Sequence, residues 1–331
     1  MTSRPGFHSR RAAAWVALPA LALAGSVTAR PAPIRPGAHA PARASDTVVV
    51  RGAGFRGPEN LAYDSVADCY YVANVNGQPT ARDGNGYVSR VGPDGRVRAL
   101  RWIAGGRGGA TLDGPMGIAI RGDTLAVADL GAVRFFDRRT GRPLGAVAVP
   151  GLRLNDLAYA DDGSLWVTDV GPDRHVVHDS LRVDTTRDLD AVYHVTPGRP
   201  GGRVVTVARG LHLMRPDGIS PWPGGGALVT TFGDSVLERV GPVDSSKIII
   251  TRLPGGRVDG LRPAPGGGWL VSSWDAKAVY RWRVGEPLLP VLTGLTSPAG
   301  VAVDTRRNRL AVTSMQENTV TIVPLPPARR P

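Results

Sequence analysis

The sequence predicts an all-β chain folded as a six-bladed β-propeller of four-stranded blades, and two observations carry that expectation. A short motif recurs six times: Pro58-Glu59-Asn60-Leu61, Pro115-Met116-Gly117-Ile118, Leu154-Asn155-Asp156-Leu157, Pro216-Asp217-Gly218-Ile219, Val258-Asp259-Gly260-Leu261 and Pro298-Ala299-Gly300-Val301. Each copy opens a short strand, and a second β-rich run follows it at 70–74, 125–129, 165–169, 227–231, 269–273 and 310–314, after a turn of Asp, Gly, Pro or Asn. A period of roughly 40 residues with several strands per copy is the spacing of propeller blades. The 43 glycines and 29 prolines suit many tight turns, and no long apolar stripe of helical period follows residue 30.

Taken in order, residues 1–29 read as an export signal. Arg10 and Arg11 precede an apolar run from Ala12 to Gly25, and Val27-Thr28-Ala29 offers a small-residue cleavage site. The run contains Pro19 and is short for a membrane span, so the mature chain is expected to begin at Arg30 and to be periplasmic or secreted, with no span of its own. Residues 30–45 are rich in proline, alanine and arginine and are expected to form a disordered linker. The propeller is assigned to 46–331. Its last repeat supplies only three strands, so the run 47–51 is expected to fill the vacancy and close the ring, which removes two exposed edges. Third strands end the runs 87–91, 133–136, 191–195, 236–240 and 279–282, and outer strands follow, among them 288–292, whose Pro290 fits only an edge. Two repeats carry insertions after the second strand, at 76–86 and 171–190, and both are expected to overhang the face where the inner strands begin.

Composition narrows the function. The net charge is +12, but its arginines are scattered through loops, Lys247 and Lys277 are the only lysines, and no basic run or stacking motif appears, so nucleic acid is not expected as a partner. Cys69 is the sole cysteine and sits in an apolar run, which rules out an intrachain disulfide and points to a buried thiol. No Gly-x-Ser-x-Gly elbow occurs.

In a propeller the innermost strands line the axis, so the second motif residue of every blade lies at a similar radius and height. Here these residues are Glu59, Met116, Asn155, Asp217, Asp259 and Ala299. Facing carboxylates repel at low dielectric, and a hard divalent cation relieves them. Asp217 and Asp259 also suit a simple turn into a strand, but Glu59, a poor turn residue, stands in the same register. Oxygen-only ligation favours calcium first, with magnesium, manganese or zinc as alternatives.

The Pro-Glu of the first repeat, Arg153-Leu154-Asn155-Asp156 in the third, Pro216-Asp217-Gly218 in the fourth and Asp259-Gly260 in the fifth resemble the gluconolactonase and regucalcin family of six-bladed propellers, over the chain from about Thr47 onward. The resemblance implies that Glu59, Asp217 and Asp259 bind one metal ion, that Asn155 binds metal or substrate, and that Arg153 contacts substrate. It also implies a hydrolase for a lactone or related ester, with Asp259 as general base. The family usually has asparagine where this chain has Asp217, which adds charge at the cation and weakens its pull on a carbonyl. Trp274, Phe232 and Met315 are expected to wall the pocket, Trp274 against substrate. His212 reads as a surface or structural histidine. Asn74, Asp129 and Asp169 end second strands near the same face and read as secondary ligands or turn residues. The alternative function is a non-catalytic exported propeller that binds a sugar, peptide or protein around a structural metal. The chain is expected to act as a monomer on a small molecule.

Overall fold

The computed structural model describes residues 46–171, 175–177, 180–182, 190–198, 202–241 and 247–327. The export signal at 1–29 and the linker at 30–45 lie outside the described residues, as does most of the insertion at 171–190. Six four-stranded antiparallel sheets form a ring of blades. Blade 1 is Pro58–Asp64, Cys69–Asn74, Tyr87–Val91 and Val97–Ala104, and blade 2 runs from Ile118–Arg121 to Pro143–Ala148. Blade 3 runs from Leu154–Tyr159 to Arg203–Arg209, blade 4 from Pro216–Pro221 to Lys247–Arg252, and blade 5 from Val258–Pro263 to Leu289–Thr293. Blade 6 takes Pro298–Asp304, Arg309–Ser314 and Thr319–Pro324 from the end of the chain and Val48–Val50 from its start.

The closure is as the sequence predicts: Val48 stands opposite Ile322 and Val50 opposite Val320. Val50 then packs with Phe55, Tyr70, Val320 and Ile322 in a cluster that joins blade 6 to blade 1. Pro290 lies on the outermost strand of blade 5, where its missing N–H breaks no inner ladder. The apolar clusters sit between neighbouring blades; one joins Val133 and Val147 of blade 2 to Leu157, Val167 and Tyr193 of blade 3. Cys69 is buried with Val88, Leu125 and Phe136, and burial pushes its thiol pKa up. The blade 3 insertion carries a short hairpin, His175–Val177 with Ser180–Arg182, where the sequence suggested only loop.

One irregularity recurs and positions the site. In five blades the inner strand slips register at the motif, between Pro58 and Leu61, Leu154 and Leu157, Pro216 and Ile219, Val258 and Leu261, and Pro298 and Val301. A bulge re-aims its side chains, and here it turns each axial residue inward. The glycine after that residue is needed because adjacent blades touch there: a Cβ at Gly218 would stand 2.3 Å from the Asp259 carbonyl oxygen, and one at Gly260 would stand 2.6 Å from that of Ala299. Blades 1 and 3 carry Asn60 and Asp156 at this position instead.

Candidate functional site

The bulges bring Glu59, Asp217 and Asp259 together at the axis, with one oxygen of each within 4.8 Å of the others. All three are buried. They floor a cavity of about 90 Å³ with Asn155, Arg153, Arg215 and Met116, walled by Phe232, Trp274 and Met315. Phe232 and Trp274 meet edge to face at 5.2 Å. Pro79 of the first insertion also lines the cavity, as does Val170, which leads into the second. Glu59, Arg153, Asn155, Asp217, Asp259 and Trp274 therefore lie in one place, with Phe232 and Met315 as walls.

The three carboxyls are electrostatically frustrated. Burial pushes the Glu59 carboxyl well above its ordinary pKa, and the charges of Asp217 and Asp156 add to the shift against a smaller pull from Arg262. Asp217 is raised first by burial and then by Asp259, and Asp259 first by burial and then by Glu59. Asn155 donates through Nδ2 to Asp217 Oδ2 at 3.0 Å, and Trp274 donates through Nε1 to Asp259 Oδ2 at 2.8 Å. Three buried oxygens then have no hydrogen-bond partner: Glu59 Oε2, Asp217 Oδ1 and Asn155 Oδ1. A buried oxygen without a donor is costly, and oxygen ligands are what a hard cation takes. The residues present fit a divalent cation.

Beneath the carboxylates the channel is filled by an ion pair that the sequence reading missed. Arg262 Nη1 donates to Asp156 Oδ2 at 2.6 Å and Nη2 to Asp156 Oδ1 at 2.9 Å, while Nη2 also reaches Asn60 Oδ1 at 3.2 Å. Asn60 Nδ2 donates to Asp156 Oδ1 at 2.9 Å. Burial alone would lower the Arg262 pKa, but Asp156, Glu59 and Asp259 raise it. This layer separates the site from a second cavity of about 320 Å³ at the other mouth of the channel, lined by Leu61, Ile118, Leu157 and Ile219. A signal was available: three residues after each axial position the blades read Ala62, Ala119, Ala158, Ser220, Arg262 and Ala302, one arginine among small residues that leave it room.

Arg215 was also missed, although Arg153-Leu154-Asn155, Arg215-Pro216-Asp217 and Arg257-Val258-Asp259 repeat one pattern. Its backbone is left-handed, with φ 61°, next to Met214 at φ 50°. Bonds from the Arg215 N–H to Asp190 Oδ2 at 2.6 Å and from the Phe232 N–H to the Arg215 carbonyl at 2.9 Å hold this strained pair, which sets the guanidinium over the Phe232 ring. Asn74, Asp129 and Asp169 anchor loops and do not line the cavity. Asp129 accepts from the Asp113 and Gly114 N–H groups, Asp169 from those of Leu152, Arg153 and Gly171, and Asn74 from that of Arg56. His212 is exposed and does not line the cavity.

Solved structures share this architecture. A gluconolactonase from Xanthomonas campestris superposes with a TM-score of 0.61 at 19% identity, over 85% of this chain and 90% of that one. A putative gluconolactonase gives 0.60 at 16% identity, over 84% and 92%. The fold is that of the gluconolactonases. A luciferin-regenerating enzyme matches at 0.57 and 13% identity over 84% of this chain and 95% of that one, and a streptogramin B lyase at 0.55 and 10% over 85% and 99%, so the fold spans several activities. No family model matches the sequence, and no curated protein does. Among the described residues no helix is long and apolar enough to cross a membrane.

Proposed function

We propose that the chain is an exported, metal-dependent hydrolase of a lactone or related ester. The observation that carries this reading is the set of three buried carboxylates converging within 4.8 Å at the floor of an aromatic-walled cavity. The gluconolactonase-like fold supports it, and the leader pattern of residues 1–29 supports export. Glu59, Asp217 and Asp259 would hold one divalent cation, calcium first, with Asn155 Oδ1 as a further donor. Bound there, a cation supplies Lewis acidity toward a substrate carbonyl.

The chain's own groups divide the remaining work. Asp259 is the general base: burial raises its proton affinity, and the Trp274 indole fixes its orientation. Asp259 takes a proton from the one water that adds to the substrate carbonyl and returns it to the leaving alkoxide, Arg153 and Asn155 orient substrate oxygens, and Trp274 and Phe232 keep bulk solvent from the reacting face. Arg262 offsets charge from below. A small molecule is the expected partner, and a monomer suffices because the site draws on one chain.

A second reading rests on the size of the cavity. About 90 Å³ is small beside the several hundred of a typical ligand pocket, which favours a binding module whose cation stiffens the ring. A metal-supplemented screen against aldonolactones, homoserine lactones, aryl esters and phosphotriesters separates the two. Turnover abolished by Asp259→Asn supports the hydrolase, and cation binding without turnover of any ester supports the module.

A further inference from the structure

Four hydroxyls stitch the inner strands of adjacent blades together. Thr168 Oγ1 accepts from the Asp156 N–H of its own blade at 3.0 Å and donates to the Asp217 carbonyl of the next at 2.5 Å. Thr230 Oγ1 accepts from the Gly218 N–H at 2.6 Å and donates to the Asp259 carbonyl at 2.5 Å. Ser272 repeats the pattern between the Gly260 N–H, at 2.8 Å, and the Ala299 carbonyl, at 2.6 Å. Thr313 donates to the Glu59 carbonyl at 2.6 Å, across the closure of the ring. All four are fully buried. Blades 1 and 2 have Ala73 and Ala128 at the equivalent place, and the axial residues they face are Met116 and Asn155.

The hydroxyls serve all three carboxylate blades, and Ser272 gives the same bond to Ala299. Each of the three carboxylate residues has its backbone carbonyl bonded by a hydroxyl from the preceding blade, whereas Met116 and Asn155 do not. We propose that Thr168, Thr230 and Thr313 are positioning residues that hold Glu59, Asp217 and Asp259 at ligand radius against their mutual repulsion. The inference rests on the cation reading above. A hydroxyl has one proton to give and lone pairs to receive with, so Thr168 and Thr230 use both capacities and each ties two neighbouring bulges into one unit, while Thr313 donates across the closure to Glu59. Site geometry set this way before a ligand arrives is not paid for again on binding.

The test is cation binding by the full chain, read by calorimetric titration with calcium, for Thr230→Val, Thr230→Ser and Tyr71→Phe. Thr230 touches both Asp217's bulge and Asp259, so valine, which keeps the shape and loses the hydroxyl, should raise the dissociation constant about tenfold. Serine restores the hydroxyl and should return it to within about twofold of wild type. Tyr71 donates to the Arg138 carbonyl at 2.7 Å, a buried bond between blades 1 and 2 away from the site. Tyr71→Phe should lower the melting temperature as Thr230→Val does and leave calcium affinity unchanged. Thr230→Val binding as wild type does, or Tyr71→Phe weakening calcium as much as Thr230→Val, overturns the positioning role. A wild type that binds no calcium overturns the cation reading, and this inference with it. Should Thr230→Val fail to fold, Thr313→Val, which loses the bond to Glu59, carries the same comparison.

Discussion

The indole Nε1 of Trp274 donates to Oδ2 of Asp259 at 2.8 Å, which joins the pocket wall to the carboxylate proposed as base. That bond favours the charged form of Asp259 against burial and the charge of Glu59. Trp274→Phe keeps an aromatic wall beside Phe232 and removes the donor, so the proton affinity of Asp259 should rise. Calcium affinity at pH 7 should fall by about three- to tenfold and recover in part at pH 8.5. Titrations at the two pH values check it.

Glu59, Asp217 and Asp259 all have folded-state pKa values raised above their unfolded ones. Their contribution to stability is fully present below the unfolded carboxylate range and is lost as pH climbs through the raised values. Chelator-treated wild type should therefore lose melting temperature, relative to a Glu59→Gln, Asp259→Asn double variant, as pH goes from 5 to 8. Adding calcium should restore the wild type and leave the double variant unmoved. Equal calcium affinity in both proteins would sink the site as drawn.

Arg262 predicts a different kind of failure. Arg262→Met leaves Asp156 buried beside three further carboxylates, Glu59, Asp217 and Asp259, with its main cationic partner gone, which should cost about 3–5 kcal/mol. Arg262→Met combined with Asp156→Asn removes the stranded charge and should recover a large part of that loss. Chemical denaturation of the single and double variants measures the recovery.

What the sequence made legible follows from the same geometry. The blades could be read because each contributes a bulged motif in one register, and the axial carboxylates could be read because six equivalent positions must face one another. The Arg262 layer was hidden because it depends on depth along the channel: Asp156, Asn60 and Arg262 come from three blades and meet only once the inner strands are stacked around the axis. The threonine hydroxyls sat in plain view in the second strands, but Val-Thr and Val-Ser pairs there read as ordinary β-formers until the neighbouring blade supplies a carbonyl. Arg215 was obscured because a left-handed arginine before a proline is not a pattern that strand periodicity detects.

The closure of the ring yields a further expectation. Deleting residues up to 45 should leave the melting temperature unchanged, because Val48–Val50 still pairs with Thr319–Pro324. Deleting residues up to 52 removes that strand, exposes the edge of the last blade and uncovers the cluster around Phe55. Loss of the buried Val50 and half-buried Val48 side chains alone should cost about 3 kcal/mol, and light scattering should rise as the free edge associates. Equal melting temperatures for the two truncations would remove the N-terminal strand from the ring.

Asp217 separates chemistry from binding. Its Oδ2 accepts from Asn155 Nδ2 at 3.0 Å, and its Oδ1 is one of the buried oxygens without a partner. An asparagine side chain can keep one oxygen in that arrangement but brings no charge, so Asp217→Asn should weaken cation affinity by about tenfold. A bound cation facing one carboxylate fewer is the stronger Lewis acid, so turnover of a lactone at saturating metal should hold or rise. Asp259→Asn should behave in the opposite sense and lose affinity and turnover together, because ligand and base go at once. Steady-state kinetics over a metal titration distinguishes the two variants. If wild type hydrolyses no ester in the screen and Asp217→Asn restores none at saturating metal, the binding-module reading takes the place of the hydrolase.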